Sequence, residues 1–304
     1  MIEIEGLSKR YGAKLAVDDI SFTVQPGRVT GFLGPNGAGK STTMRMIVGL
    51  DRPTSGRATV NGKPYADHRD PLHQVGALLE AKAVHTGRSA YNHLRALAAT
   101  HSIPKARVHE VIELTGLDAV ASKRVGGFSL GMGQRLGMAA ALLGDPQTLI
   151  LDEPVNGLDP DGVLWVRGLT RHLAAQGRTV FLSSHLMSEM ALTADHVVIL
   201  GRGRILADAP MSEITDRAAT NRVTVRTPTP APLVDALAGP DITVTRLDDG
   251  ALSIAGIDAE HVGEIAFRAG VMLHELTPVK ASLEQAYLEL TQDAVEYRAE
   301  VAGR

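Results

Sequence analysis

Three short, largely apolar runs along the chain each end in polar residues. The runs cover residues 28–33, 148–151 and 179–182. A Gly-rich loop follows the first run, Asp152 and Glu153 follow the second, and two serines and His185 follow the third. Continuous apolar runs of this length, alternating with helical segments, predict buried parallel strands. Ligands of parallel sheets bind at the carboxyl ends of the strands, so the pattern predicts one site where these polar residues meet.

Other segments with strand and helix patterns surround this core. Alternation at residues 20–24 and 57–61 predicts a small antiparallel β subdomain. Helical periodicity over residues 90–116 predicts an inserted helical lobe at about residues 85–140. The pattern changes near residues 211–219, and we expect one domain at 1–219 and a second, smaller one at 220–304.

The smaller domain has the strand and helix order βαββαβ, which is typical of a ferredoxin-like arrangement. The predicted elements are a strand at 222–226, a helix at 232–238, a hairpin of 242–247 and 251–254, a helix at 260–269, a strand at 271–276 and a final amphipathic helix at 282–290. Asp249 and Gly250 close the predicted hairpin.

The amino-acid composition argues against several classes of function. With a net charge of −3, the 304-residue chain lacks the basic face on which many nucleic-acid binders rely, so we expect no nucleic-acid partner. The absence of cysteine excludes disulfides, thiolate metal sites and thiol redox chemistry. No apolar stretch approaches the roughly 18 residues of a membrane helix, and no signal peptide is recognisable. A cytoplasmic location is therefore expected.

The Gly-rich loop has the pattern of a phosphate-binding loop. Its residues are Gly34, Pro35, Asn36, Gly37, Ala38, Gly39, Lys40, Ser41 and Thr42. Glycines let successive backbone N–H groups approach a polyphosphate, Lys40 brings a charge to the β- and γ-phosphates, and Ser41 is placed to bind Mg²⁺. A helix at 40–50 directs its N-terminus at the phosphates. We predict an α/β fold: a P-loop NTPase core with a parallel sheet, the small antiparallel β subdomain, the helical lobe, and a C-terminal α+β ferredoxin-like domain.

Asp152 and Glu153 are candidates for metal binding and for activation of the attacking water. An aspartate at the end of the strand next to the loop reaches Mg²⁺ through its oxygen shell, and the adjacent Glu153 can orient or deprotonate a water that attacks the γ-phosphate. Two solvated acids at a strand end are the alternative. The phosphate loop favours the catalytic interpretation, with Glu153 and Lys40 as candidate catalytic residues and Ser41 and Asp152 as candidate metal ligands.

Four further segments resemble the ATP-binding subunits of ABC transporters. Residues 128–135 resemble the family's signature motif, Gly157-Leu158-Asp159 its D-loop, His185 its switch histidine, and Tyr11 the aromatic residue that stacks on adenine. The resemblance covers residues 1 to about 219. It implies bound ATP and Mg²⁺, and a head-to-tail dimer in which Ser129 and Gly131 face the γ-phosphate bound to the other subunit.

Purely structural roles are the alternative for three of these residues. Ser129 can be a plain helix N-cap, which is compatible with the functional reading. A lone histidine after a strand is often structural, and an aromatic residue near a strand is often only packed there. The contacts of His185 and Tyr11 in the folded chain distinguish these roles from the functional ones.

Three positions depart from the family pattern. Leu130 stands where the signature has its first glycine, and Met132 where glutamine is usual. Glu80 stands where the family places a metal-contacting glutamine; it would keep an oxygen ligand but add a negative charge. This glutamate variant is similar to one in antibiotic-export subfamilies.

The C-terminal residues resemble the extension of single-domain ATPases that drive drug, antibiotic or polysaccharide exporters with ABC-2 type permeases. The resemblance implies an ATPase bound to the inner face of the cell membrane, with the permease on a separate chain. A soluble ABC-type ATPase with a non-transport target is the alternative. A regulatory module that holds ATP without cleaving it is disfavoured by Glu153.

Overall fold

The computed structural model describes residues 1–80, 84–218, 222–239 and 242–279, together with Leu283 and Tyr287. The chain forms two compact units, the first from Met1 to Met211 and the second from Ser212 to Glu289. The expected boundary after residue 219 stays a prediction, since 219–221 lie outside the described residues.

Two sheets form the first unit. Its strands are β1 (Ile2–Tyr11), β2 (Lys14–Val24), β3 (Val29–Leu33), β4 (Ser55–Val60), β5 (Val75–Leu78), β6 (Thr148–Leu151), β7 (Thr179–Ser184), β8 (His196–Gly201) and β9 (Arg204–Pro210). Strands β2, β1 and β4 form the predicted antiparallel subdomain. The other six form a sheet in the order β5-β6-β7-β3-β8-β9, parallel except for the β8–β9 pair.

Helices flank these sheets. They are α1 (Lys40–Ile47), α2 (Pro71–Gln74), α3 (Ala90–Thr100), α4 (Lys105–Leu114), α5 (Leu130–Leu142), α6 (Pro160–Ala175) and α7 (Met187–Thr193), and α8 (Met211–Ala218) begins at the last residue of the first unit. Helices α3, α4 and α5 make up the predicted helical lobe. Ser89 caps α3 by accepting a hydrogen bond from the Asn92 N–H at 3.2 Å.

The register of the parallel strands sets the position of the site. Leu33 pairs with Ser184, and Leu151 pairs with both Leu182 and Leu78. The loop after β3 and the polar residues after β5, β6 and β7 therefore share one edge of the sheet. Beneath this edge, the rings of Phe22, Phe32 and Phe181 pack together with centroids 5.1 to 5.8 Å apart. This buried aromatic cluster holds the antiparallel subdomain against the parallel sheet.

After α8, the described residues of the second unit form an antiparallel sheet with two helices. Its elements are β10 (Arg222–Arg226), α9 (Pro230–Ala236), β11 (Thr243–Arg246), β12 (Leu252–Ala255), α10 (Ala259–Arg268) and β13 (Glu275–Val279). The sheet order β11-β12-β10-β13 is that of a ferredoxin-like fold. The α/β fold class, with both sheet types and this added arrangement, is confirmed. Apart from Leu283 and Tyr287, the predicted helix at 282–290 lies outside the described residues.

Two predicted boundaries were wrong, each because of a local turn. The helix expected at 40–50 ends at Ile47, since Gly49 adopts a φ of 71°. The periodic segment 90–116 forms two helices of the predicted lobe, separated where Ser102 adopts a φ of 55° before Pro104. The last strand begins at Glu275 rather than Val271, whose N–H instead closes the end of α10 on the Ala266 carbonyl at 2.9 Å.

Across the described residues, no helix is both long and apolar enough to span a membrane.

Candidate functional site

Glycines shape the loop between β3 and α1. Gly37 and Gly39 adopt φ angles of 82° and 108°, in the left-handed region that disfavours side chains. A Cβ atom on Gly34 would lie 2.5 Å from a backbone oxygen of β8, and one on Gly39 would lie 2.5 Å from a backbone oxygen of β2. Because α1 starts directly after Gly39, its first N–H groups point toward the loop, as in an anion-binding helix N-terminus.

Lys40 is buried within this loop. Its Nζ donates hydrogen bonds to the carbonyl oxygens of Gly34 at 2.6 Å and Pro35 at 3.3 Å. Burial lowers the pKa of Lys40, and the nearby charges of Glu153 and Asp152 oppose this by raising it. The lysine therefore lies between the loop and the two acids that follow β6.

A cleft of about 340 Å³ lies over the loop. It is bounded by Tyr11, by residues 36–42 and by Glu153. Ser41 is exposed on it. This volume is in the range of small-molecule sites. Left-handed glycines, a helix N-terminus and a buried lysine around one cleft are the features that bind a polyphosphate, so the residues fit ATP.

Asp152 and Glu153 are held by the neighbouring strand. The Ser183 hydroxyl donates to Asp152 Oδ1 at 2.5 Å and accepts from the Glu153 N–H at 2.9 Å. His185 Nδ1 lies 2.8 Å from Glu153 Oε2, and since a carboxylate only accepts, Nδ1 carries the proton. The structure thus brings His185, which follows β7, into contact with Glu153, which follows β6 beside Asp152.

Glu153 has an unusual backbone. Its φ of 51° is uncommon for a residue with a side chain, and such conformations concentrate at functional sites. Two contacts to its carbonyl oxygen support this conformation: the Gln134 side-chain N–H at 2.7 Å and the Asn156 backbone N–H at 3.2 Å. Gln134 belongs to α5, so the helical lobe contributes to the position of Glu153.

Ser129 is the N-cap of α5 and accepts a hydrogen bond from the Met132 N–H at 3.2 Å. The departure at Leu130 has a clear packing consequence. A Cβ atom on Gly157 would lie only 2.3 Å from Leu130 Cδ2, and one on Gly131 would lie 2.9 Å from the Gly157 oxygen. Leu130 therefore covers Gly157 closely, and glycine is needed at 157 for this packing.

Asp159 lies next to this contact. It is the N-cap of α6, where its Oδ1 accepts a hydrogen bond from the Gly162 N–H at 3.0 Å. The capping bond fixes the start of α6 and accounts for an aspartate here without any ligand.

Tyr11 is held at the rim of the cleft by a polar network. Its hydroxyl donates to Asp51 Oδ2 at 2.9 Å, the same oxygen that accepts from Arg45 Nε at 2.8 Å. Lys9 Nζ lies 4.8 Å from the centroid of the Tyr11 ring. Partial burial and the Asp51 carboxylate raise the pKa of Tyr11, while the Arg45 hydrogen bond lowers the pKa of Asp51. The ring is half-exposed and has a defined orientation.

Glu80 is exposed two residues after the end of β5. The pKa of Arg45 is raised mainly by its hydrogen bond to Asp51, and the charge of Glu80 adds to this. Among the described residues, no three His, Asp or Glu side chains are arranged to hold a metal ion by themselves. Mg²⁺ in phosphate sites is usually held by one or two protein oxygens together with phosphates and waters, so Ser41 and Asp152 suit that ion.

Sequence reasoning missed several residues of the site. Ser183 and Gln134 support Glu153, and Asp51 and Arg45 orient Tyr11. Only Ser183 had a usable signal, as a polar residue at the carboxyl end of a buried strand. The others act across long sequence separations that no local pattern reveals.

Comparison with known proteins identifies the family. The chain is 35% identical over 300 residues, 97% of its own length and 97% of the relative's, to the uncharacterized ABC transporter ATP-binding protein YhcH of Bacillus subtilis (strain 168). This chain belongs to the ABC transporter ATP-binding proteins. The family described as "ABC transporter" matches residues 17–156 of this ABC ATPase, and residues 207–284 match a "Domain of unknown function (DUF8746)".

Two further comparisons agree. This ABC ATPase is 41% identical over 220 residues to the bacitracin transport ATP-binding protein BcrA of Bacillus licheniformis, covering 71% of this chain and 72% of that one. A solved ATP-binding subunit of an ABC transporter superposes with a TM-score of 0.65 at 29% identity, covering 71% of this chain and 92% of that one. The predictions of an ABC-type fold, ATP binding and an ATPase are confirmed.

Proposed function

We propose that this ATPase powers export of a peptide antibiotic or similar small molecule through a separate membrane permease. The proposal rests on one observation: four residues meet at one edge of the parallel sheet, namely Lys40, Asp152, Glu153 and His185. The similarity to a bacitracin transport ATP-binding protein supports the choice of cargo.

Residues 34–42 bind the phosphates of ATP through backbone N–H groups, and Lys40 neutralises charge on the β- and γ-phosphates. Ser41 and Asp152 supply protein oxygens for Mg²⁺, which neutralises further phosphate charge when bound. Glu153 accepts a proton from the attacking water, and its fixed backbone keeps the carboxylate at the cleft. The Tyr11 ring stacks on the adenine.

His185 acts on the γ-phosphate side of the same carboxylate. With the proton on Nδ1 directed at Glu153, the neutral ring has only an acceptor at Nε2. Donation from Nε2 to a phosphate oxygen therefore requires either a second proton on the ring or transfer of the ring proton from Nδ1 to Nε2, which makes Nδ1 the acceptor. In this role His185 contacts both the Glu153 side chain and the γ-phosphate.

A head-to-tail dimer completes each site. Ser129 and Gly131 lie at the N-terminus of the 13-residue helix α5, where N–H groups and the helix dipole favour an anion. The γ-phosphate bound to the second subunit is that anion, and Asp159 lies at the same interface.

The permease is of the ABC-2 type, and its cytoplasmic side holds the ATPase at the inner face of the membrane.

The export proposal is tested in a susceptible host that lacks both proteins. Production of this ATPase together with a candidate ABC-2 type permease is expected to lower the host's sensitivity to bacitracin or a related peptide antibiotic. The same pair with Glu153→Gln should give no protection. Export would be contradicted by unchanged sensitivity across a panel of such antibiotics, together with an ATPase rate that is the same with and without the permease.

Glu80 provides a second prediction. If its carboxylate contacts Mg²⁺, Glu80→Gln should keep ATP binding, raise the Mg²⁺ concentration needed for half-maximal turnover, and change stimulation by the permease more than basal turnover. The measurement is ATPase activity against Mg²⁺ concentration with and without the permease. Glu113→Gln, on the exposed face of α4, is the matched control. Identical curves for the wild type and Glu80→Gln would remove Glu80 from the site.

A further inference from the structure

Helices α6 and α7 are joined by an ion pair that the site described above does not use. Arg167 Nη2 lies 2.6 Å from Glu189 Oε2, and the two side chains are only 22% and 28% exposed. Arg167 Nε is buried without a hydrogen-bond partner in the described part of the chain. Because a half-desolvated guanidinium depends on its partner, loss of Glu189 would leave a poorly compensated charge.

The two helices start at two parts of the candidate site. Helix α6 begins directly after its N-cap Asp159, and α7 begins two residues after His185. Helix α7 has only seven residues, too few to be stable without tertiary contacts. Its position must therefore come from the groups that hold it in place.

Three contacts hold α7. Met190 packs against the central strand, because a Cβ atom on Gly31 would lie 2.3 Å from its sulfur. Arg171 Nη1 donates to the Leu192 oxygen at 3.0 Å near the C-terminal end of the helix. Of these contacts, the Arg167–Glu189 pair is the one in the first turn, beside His185.

The space beneath the pair reaches the catalytic strand ends. A small pocket of about 20 Å³ is lined by Arg167 and Glu189, by Pro154 and Val155 just after Glu153, and by Ser183. Side chains of α6, α7 and both strand ends therefore line one small pocket. Because α7 begins two residues after His185, a shift of α7 would also move the His185 segment relative to Glu153.

We infer that Arg167 and Glu189 are positioning residues, which fix α7 so that His185 meets the Glu153 carboxylate. The inference rests on the catalytic roles proposed for Glu153 and His185. Neither residue of the pair lines the cleft above Lys40, so ATP binding does not need them. The pair acts on turnover because small misplacements of catalytic groups lower the rate steeply.

The test compares Glu189→Ala, Arg167→Gln and the double variant in the full-length protein. Each single variant is expected to lower kcat by about tenfold with KM and the Kd for ATP within about twofold of the wild type. The double variant should be no slower than either single one, since both remove the same contact. Arg171→Gln, which removes the other α6–α7 hydrogen bond, is the matched control and should keep wild-type kcat.

Several outcomes would overturn the inference. Wild-type kcat in Glu189→Ala would do so, as would equal losses of kcat and ATP affinity accompanied by a lower Tm, which mark a purely structural pair. If Glu189→Ala does not fold, Arg167→Gln takes its place, and unchanged kcat there has the same meaning. Glu153→Gln and His185→Ala are measured in parallel: turnover in both would overturn the proposed function itself.

Discussion

Replacement of Glu153 by glutamine is expected to lower ATP turnover by about 10²- to 10⁴-fold while ATP binding is retained. The amide keeps the shape of the side chain, and its oxygen still accepts the hydrogen bond from His185 Nδ1, now 2.8 Å from Glu153 Oε2. It cannot accept a proton from the attacking water. ATP-bound dimers should therefore accumulate. Phosphate release, titration with a fluorescent ATP analogue and size-exclusion chromatography in ATP measure the three effects.

Glu113→Gln on the exposed face of α4 is the control for this charge change, and it should match the wild type in all three measurements. Turnover at the wild-type rate in Glu153→Gln would show that another group activates the water. Loss of ATP binding in a folded variant would instead assign Glu153 to nucleotide affinity. Thermal unfolding of both variants excludes a general loss of structure.

The fold was predictable wherever buried strands carry an uninterrupted apolar pattern. Residues 148–151 were predicted as a strand and form β6 with the same bounds, because all four side chains are buried and nothing competes with the pattern. The error at Val271 had the opposite cause. An apolar residue after α10 was read as part of the next strand, whereas Gly270 with a φ of 65° turns the chain so that Val271 packs on the helix end.

The sequence likewise predicted some parts of the candidate site and not others. Residues 34–42 and the Asp152-Glu153 pair carry their chemistry in contiguous residues, and strand order brings them together. The support of Glu153 by Gln134 and by Ser183 joins residues 19 and 30 positions apart, and its φ of 51° follows from tertiary contacts. A single sequence holds no local pattern that pairs these residues, so the positions of the candidate catalytic groups were predicted and the contacts that support them were not.

The charge of Lys40 is expected to be the largest single contribution to nucleotide affinity. Lys40→Ala should weaken ATP binding by about 10²-fold, because a charge-assisted contact to the β- and γ-phosphates disappears. AMP has neither phosphate, so its affinity should stay at the wild-type value. Isothermal titration of ATP, ADP and AMP against both proteins separates these effects. Lys63→Ala removes an exposed lysine and serves as the charge control.

The comparison among nucleotides also separates charge from structure. Lys40 Nζ binds the carbonyl oxygens of Gly34 and Pro35, so its removal can loosen the loop as well as remove a phosphate contact. A loosened loop would weaken all three nucleotides in parallel. A lost phosphate contact weakens ATP and ADP and spares AMP. Unchanged ATP affinity in Lys40→Ala would contradict the assignment of residues 34–42 as the phosphate-binding loop, because no other buried cation of the described cleft lies between the loop carbonyls and the acids after β6.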